Sequence, residues 1–283
     1  MSSRRSFIQK SAMGLAGSVA IPFLGSSSVL QPENINAVNS VDLPVGFAGY
    51  TFAKFTSDQS IEMMKKINVK NLSLKEIHLP LNSSDEKIKT EMAKYAAAGI
   101  NVYAVGVIYM KTREAVDLAF AYAKKVGVSL IVGVPSYDVL DYAEEKVKQY
   151  DIRLAIHNHG PKDPLYPSPK DIYDRIRDKD PRVGLCIDIG HTRRAGVLPE
   201  KVVKEYRNRL FDLHIKDVTE GVEQGKVAEI GRGIIDFPAL VKALKRIGYK
   251  GMCSVEYEKD MTDPMLGIAE SVGYFKGVLA TEG

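Results

Sequence analysis

The stretch RVGLCIDIGHTRRAGVLPEKVVKEYRNRLFDLHIKD, residues 182–217, decides the fold. It begins and ends with strand-like runs, RVGLCIDIG (182–190) and LFDLHIKD (210–217). Pro199 opens a helix between them, because proline suits the first turn of a helix. Strands that are almost continuously apolar are buried on both faces, as in parallel sheets. The stretch therefore predicts a strand–helix–strand unit of a parallel sheet.

The same alternation continues in both directions along the chain. Predicted strands cover 45–52, 69–79, 100–110, 128–134, 152–158, 182–190, 210–217 and 251–258. Predicted helices cover 58–67, 85–98, 112–126, 137–149, 169–178, the segment from Pro199, 236–247 and 264–279. Eight such units in about 240 residues predict an α/β fold, a (β/α)₈ TIM barrel that forms a single catalytic domain over 40–283. The alternative, an open doubly wound sheet, would carry a glycine-rich phosphate loop after the first strand, and GYTFAKF (49–55) is not one.

The N-terminal segment has the pattern of an export signal. Arg4 and Arg5 are followed by Phe-Ile and by a mildly apolar run at 11–25, which is shorter than the roughly 20 residues that span a bilayer. This pattern predicts a twin-arginine export signal, with 1–39 as signal peptide and disordered leader. A disordered basic tail or an uncleaved anchor is the alternative. We expect a periplasmic protein with no stable membrane span after processing.

Charge and cysteine content exclude two classes of protein. The whole chain has a net charge of +4, and without residues 1–39 the net charge is +2. A nucleic-acid binder normally has a strongly basic face, so no nucleic-acid partner is expected. The two cysteines, Cys186 and Cys253, lie in apolar runs and are too few for a disulfide framework.

Chemically active side chains follow the predicted strands. All five histidines fall at or just past the C-terminal end of a strand: His78, His157, His159, His191 and His214. In a barrel, those ends form the face that carries active sites. We therefore expect the histidines to share one functional face.

Three successive strand ends present a potential metal site. Asp188, His214 and Glu256 end the last three predicted strands, and either His157 or His159 of the fifth strand offers a fourth ligand. Imidazole and carboxylate together suit divalent transition metals. The expected cofactor is one divalent ion, such as Mn²⁺, Zn²⁺, Co²⁺ or Mg²⁺.

Four segments carry a resemblance to a known family: VGLCIDIGHT (183–192), LFDLHIKD (210–217), GRGIIDFPALVKAL (231–244) and YKGMCSVEY (249–257). They resemble the xylose isomerase-like barrels, which include sugar epimerases, hydroxypyruvate isomerase, inosose dehydratase and endonuclease IV. The resemblance implies a single catalytic metal held by Asp188, His214 and Glu256. Many relatives supply a Glu from the fifth strand, where this chain has His157. The predicted metal set is therefore His157, Asp188, His214 and Glu256, with His159 as the alternative to His157.

The resemblance also implies roles for residues around the metal. His191 matches a histidine near the substrate and metal, Lys216 and Asp217 match a polar pair, and Arg232 lies on a loop that lines the sugar site. The predicted catalytic residues are Glu256, His157 and His191. The predicted substrate-binding residues are Lys75, His78, Tyr109, His159, Lys216 and Arg232.

The leading hypothesis is a metal-dependent enzyme of the sugar isomerase or epimerase type, which transfers a proton alpha to a carbonyl. The alternatives are a lyase or dehydratase that acts on a keto-sugar or oxidised glycoside, and a non-catalytic sugar-binding barrel. An endonuclease IV-like enzyme would need three metals and a basic groove, which the near-neutral body opposes. The expected partner is a small-molecule sugar, and a homo-oligomer stays open.

Overall fold

The computed structural model describes residues 42–282 as an eight-stranded parallel barrel. Ten strands are present in this range: β1 (Val45–Ala48), β2 (Asn71–Leu74), β3 (Asn101–Met110), β4 (Leu130–Pro135), β5 (Arg153–His157), β6 (Val183–Asp188), β7 (Leu210–Ile215), β8 (Asp217–Val218), β9 (Val227–Ala228) and β10 (Met252–Val255). The barrel closes in the order β1, β10, β7, β6, β5, β4, β3 and β2, while β8 and β9 form a small antiparallel pair beside it. The predicted TIM barrel is confirmed. The export signal predicted for 1–39 lies outside the described residues.

Helices alternate with the barrel strands and form its outer layer. Nine are described: α1 (Ser57–Ile67), α2 (Asp85–Ala97), α3 (Arg113–Val126), α4 (Leu140–Tyr150), α5 (Pro169–Ile176), α6 (Ile189–Arg194), α7 (Pro199–Glu205), α8 (Phe237–Arg246) and α9 (Met265–Thr281). Helix α3 begins after Thr112, whose hydroxyl accepts the Ala115 N–H at 3.2 Å and so satisfies one free donor of the first turn. Pro199 begins α7, as the sequence predicts. Within residues 42–282, no helix combines the length and apolar character needed to cross a bilayer.

The core runs through the barrel and the layer between barrel and helices. All residues of β4 and β6 are buried, which explains why both strands read as continuous apolar runs. Burying one large aliphatic side chain stabilises a fold by about 1.5–3 kcal/mol, so this layer is the main source of stability. Both cysteines are buried and free, in agreement with the sequence.

The first strand is shorter than predicted. β1 ends at Ala48, and Gly49–Phe52 form a 3₁₀ turn where the sequence predicts strand to residue 52. The Thr51 hydroxyl donates to the Val255 carbonyl at 3.1 Å and accepts the Tyr257 N–H at 3.0 Å. These two bonds tie the turned segment to the end of β10, and their partners lie too far away in sequence for local patterns to reveal.

The sixth strand also ends early. The sequence predicts strand to residue 190, but β6 ends at Asp188 and α6 begins at the next residue. The Asp188 carboxylate accepts the His191 N–H at 2.7 Å, so it caps the new helix. The first turn of α6 therefore lies directly on the C-terminal face of the barrel.

Candidate active site

Four side chains meet at the C-terminal face of the barrel. His157 and Asp188 end β5 and β6, His214 is the penultimate residue of β7, and Glu256 follows β10. One donor atom from each lies within 4.8 Å of the others, and all four side chains are buried. The parallel register places His157 beside Cys186, and Asp188 beside His214, so neighbouring strands deliver these groups to one point.

The donor atoms within this cluster are closely spaced. His157 Nε2 lies 2.9 Å from His214 Nδ1 and 3.7 Å from Asp188 Oδ2. His214 Nδ1 lies 3.0 Å from Glu256 Oε2. Ligands about 2.1 Å from one tetrahedral ion stand about 3.4 Å apart, so these separations fit a single metal. Asp188 Oδ2 is buried and accepts no hydrogen bond from a described residue, but it lies 3.0 Å from the Lys216 ammonium, so this oxygen is placed against a cation. The cluster therefore fits a divalent metal in both donor type and spacing.

The Lys216 side chain lies against α6 and reaches the same cluster. Its ammonium lies 3.0 Å from Asp188 Oδ2, 2.9 Å from Glu256 Oε2 and 3.3 Å from Glu258 Oε1, and only 1% of its side chain is exposed. Gly190 makes room for it, because a β-carbon at that position would lie 2.4 Å from Lys216 Cγ. Burial alone would lower the pKa of Lys216, but the carboxylates of Asp188, Glu256 and Glu258 outweigh it and raise the pKa. Lys216 is therefore a buried cation.

The titratable groups of the cluster take opposite charge states. Burial would raise the pKa of Glu256, but the charges of His214 and Lys216 outweigh it and hold the pKa well below its usual range. Burial and the neighbouring His214 lower the pKa of His157 well below its ordinary value, and burial lowers the pKa of His191 to about 4. Burial would lower the pKa of His214, but the neighbouring Glu256 carboxylate outweighs it and raises the pKa. At neutral pH the site thus presents the Glu256 carboxylate together with neutral His157 and His191, which keep a lone pair for a metal or a proton.

A cavity of about 320 Å³ opens above the cluster. Its lining consists of Tyr50, Lys75, Val107, Tyr109, His157, His159, His191, Glu256 and Glu258. The volume lies at the small end for ligand pockets, so it suits a single small molecule. Both lining carboxylates come from the segment after β10, whereas the lining histidines come from the end of β5 and from the segments after β5 and β6.

A second group of polar side chains borders the cavity on the β3–β5 side. The Tyr109 hydroxyl lies 2.9 Å from His159 Nε2, and the two rings stack with centroids 5.5 Å apart. His159 Nδ1 in turn lies 3.7 Å from Asp163 Oδ2, while Asp163 Oδ1 accepts the backbone N–H groups of Leu165 and Tyr166. The sequence predicts Tyr109 and His159 at the site but not Asp163. The spacing of four residues after His159 was the available signal.

The two histidines of the fifth strand have separate positions. His157 ends β5 and joins the metal-type cluster, whereas His159 lies past the strand and turns to Tyr109. Asn158 between them ties the strand ends together, because its Oδ1 accepts the Asp188 N–H at 3.0 Å. The sequence offers both histidines as ligands and does not single out Asn158.

Lys75 lies at the wall of the cavity, while two other predicted residues lie elsewhere. The Lys75 ammonium donates to the Val107 carbonyl and pairs with Glu76 at 2.8 Å. His78 Nε2 lies 3.1 Å from the Phe52 carbonyl and is not among the cavity-lining residues. Arg232 pairs with Glu270 through Nη2 at 2.8 Å and leaves 63% of its side chain exposed, also outside the lining.

Asp217 orders the loop that carries Arg232. Its Oδ2 accepts the N–H groups of Gly231 at 3.0 Å and Gly233 at 2.8 Å, and its Oδ1 accepts that of Ile235 at 3.2 Å. A β-carbon at Gly233 would lie 2.2 Å from Asp217 Oδ1, so only glycine fits there. Of the polar pair after His214, Lys216 thus enters the metal-type cluster and Asp217 holds the loop.

One known protein family matches nearly the whole barrel in sequence. The model for the xylose isomerase-like TIM barrel matches residues 49–278. The chain belongs to this family. The resemblance seen in the sequence is therefore confirmed over nearly the entire barrel.

Similar proteins span several members of the family. An inosose dehydratase of Lacticaseibacillus casei is 26% identical over 136 residues, which cover 43% of this chain and 45% of the dehydratase. The chain thus matches less than half the length of this relative. A crystal structure of an uncharacterised protein from Parabacteroides distasonis has 27% identity and a TM-score of 0.66, and covers 83% of this chain and 98% of that protein. The zinc-bound structure of the IolI protein shares the fold with a TM-score of 0.69 at 18% identity, over 85% of this chain and 98% of IolI.

Proposed function

We propose that this protein is a metal-dependent enzyme that removes a proton from the carbon next to a carbonyl in a sugar or sugar derivative. The observation that carries the proposal is the buried set of His157, Asp188, His214 and Glu256 at the floor of a small cavity. Buried charges are costly, and Asp188, Glu256 and Glu258 bring three carboxylates to the single ammonium of Lys216, so the site calls for a further cation. A non-catalytic sugar-binding barrel would not need it.

The residues of the site have different roles in metal binding, proton transfer and substrate binding. His157, Asp188, His214 and Glu256 would hold the metal, which acts as a Lewis acid on the substrate carbonyl and stabilises negative charge on its oxygen. Glu256 also lines the cavity, so its carboxylate is the group that we assign as the base that takes the proton. Lys75 and Tyr109 lie on the cavity wall, where a lysine ammonium and a phenol can bind substrate hydroxyl groups.

The asymmetry of the cavity favours elimination as the outcome. An epimerase that uses two carboxylates needs one on each face of the substrate carbon, but Glu256 and Glu258 both follow β10. The other lining residues that can transfer a proton include His157, His159 and Tyr109. We therefore favour a lyase or dehydratase: Glu256 takes the proton alpha to the carbonyl, a carbon–carbon double bond forms, and the bond to the beta oxygen substituent breaks. The leaving oxygen takes a proton from Tyr109, which stays protonated at neutral pH because burial raises the pKa of its phenol.

Isomerisation or epimerisation is the second candidate. The Tyr109–His159 pair lines the same cavity as Glu256 and offers a group that can return a proton to the substrate. In that case the proton would come back to carbon on the second face and no substituent would leave. The dehydratase name of the Lacticaseibacillus relative supports elimination, whereas the family resemblance in the sequence supports both outcomes.

Metal content and proton exchange test the proposal together. We expect about one divalent ion per chain in the purified protein, lost in an Asp188→Ala/His214→Ala variant. Incubation with keto-sugars in D₂O, followed by NMR, should then show deuterium at the alpha carbon or an unsaturated product. A metal-free protein under metal-replete conditions would contradict the metal site. Loss of a substituent would identify a lyase, and its retention with inverted or moved groups would identify an isomerase or epimerase.

The cellular location of the protein is a separate proposal. We propose that residues 1–39 direct twin-arginine export, and that the substrate is consequently a free or oxidised saccharide of the periplasm. Fractionation of cells that express the full chain, compared with an Arg4→Lys/Arg5→Lys variant, tests this. Equal distribution of both chains between fractions would contradict it.

A further inference from the structure

Lys216 contacts oxygens that the proposed metal would also use. Asp188 Oδ2 lies 3.0 Å from the Lys216 ammonium and 3.7 Å from His157 Nε2. Glu256 Oε2 lies 2.9 Å from the ammonium and 3.0 Å from His214 Nδ1. One internal cation thus contacts two of the four metal-type ligands. Two positive charges on shared oxygens repel each other strongly in a buried site.

Glu258 supplies a third carboxylate outside the ligand set. Its Oε1 lies 3.3 Å from the Lys216 ammonium, and it lines the cavity two residues after Glu256. The chain from β10 onward thus offers one carboxylate to the metal-type cluster and one beside it. With Asp188, Glu256 and Glu258 against Lys216, the formal charge of this group is −2, which balances one divalent ion.

We propose that Lys216 is an internal competitor of the metal, and that Glu258 receives its ammonium when the metal binds. This inference rests on the proposed function, because it assumes the metal site. In the metal-loaded protein, Lys216 and Glu258 form an ion pair at the cavity wall, and Asp188 and Glu256 turn their oxygens to the ion. Lys216 therefore sets the metal affinity, and Glu258 makes it possible for the metal to replace the ammonium beside Asp188 and Glu256.

A double-mutant cycle on metal affinity tests the inference without reference to turnover. Zn²⁺ dissociation constants would be measured at pH 7 by competition with a chromophoric chelator, for the wild type, Lys216→Met, Glu258→Gln and the double variant. We expect Lys216→Met to tighten binding by about tenfold or more, because it removes a positive charge from shared ligands. We expect Glu258→Gln to weaken binding about tenfold in the wild type but less than about threefold in the Lys216→Met background.

The outcomes separate the inference from the proposed function. Weaker or unchanged binding in Lys216→Met would overturn the role of Lys216 as a competitor, and equal effects of Glu258→Gln in both backgrounds would overturn the role of Glu258. Absence of binding in both the wild type and Lys216→Met would instead overturn the proposed metal site.

A second measurement covers the case in which Lys216→Met does not fold, since removal of one partner of a buried ion pair is strongly destabilising. A crystal structure of the zinc-loaded wild type should show the Lys216 ammonium nearer to Glu258 than to Asp188. An ammonium that stays on Asp188 and Glu256 beside the bound ion would refute the transfer.

Discussion

Asp188 combines a helix cap with a metal-type ligand, and two substitutions separate these roles. Asp188→Asn keeps a side-chain oxygen for the His191 N–H, which Asp188 accepts at 2.7 Å, whereas Asp188→Ala removes it. Both substitutions remove the carboxylate that contacts Lys216, so that loss cancels when the two variants are compared. One remaining difference is the cap, which is worth about 0.5–2 kcal/mol for a good N-cap residue against alanine. The space that alanine leaves empty at this buried position acts in the same direction.

The stability of both variants would be measured by urea unfolding in the presence of a chelator, and their metal content by elemental analysis. We expect Asp188→Asn to be about 1 kcal/mol more stable than Asp188→Ala, which corresponds to a melting difference of about 2–4 °C for a domain of this size. Both variants should have lost the metal, because neither side chain is an anion. Equal stabilities would refute the role as a cap. A full complement of metal in Asp188→Asn would refute the role as a ligand.

Three further predictions concern catalysis and pH. Glu256→Gln should lower kcat by about 10²–10⁴-fold, as expected for loss of a general base, with the exposed Glu62→Gln as the matched control; activity within about tenfold of wild type would remove Glu256 from that role. Tyr109→Phe should lower kcat about tenfold or more with unchanged metal content, because it removes the proposed proton donor in the cavity lining, and an unchanged kcat would contradict this. Burial raises the pKa of Asp212 to about 6, so the folded state holds a proton there that the unfolded chain releases near pH 4. The stability contributed by Asp212 should therefore fall as pH rises from about 4 to 6, and urea unfolding of Asp212→Asn should lack this component of the pH dependence.

Local sequence patterns locate the barrel and most of its catalytic face. Each strand of the barrel is marked by a run of apolar residues, and each polar residue at the end of such a run is placed on the C-terminal face. His157, Asp188, His214 and Glu256 could therefore be predicted to lie together without knowledge of their distances. The family match over 49–278 agrees with that architecture.

The contacts that the sequence does not predict join residues far apart in the chain. The partners of Lys216 are 28, 40 and 42 positions away, and its place in the cluster depends on the rotamer that Gly190 permits. Helix α6 was not predicted because its sequence, IGHTRR, is too short for a helical period. Its cap is the same carboxylate that the sequence marks as a metal ligand.

The segment DIGH (188–191) is the point where the fold and the proposed chemistry depend on each other. Asp188 ends a buried strand and begins a helix, and this sharp change of direction brings the His191 side chain to the cavity wall. Gly190 lies in the first turn of that helix, where the missing β-carbon opens the path for Lys216. A side chain at Gly190 would have to displace the lysine from the carboxylates, even though alanine suits a helix better than glycine does. Gly190 therefore lowers the helix propensity of α6, but it leaves the space that the buried Lys216 side chain needs at the centre of the site.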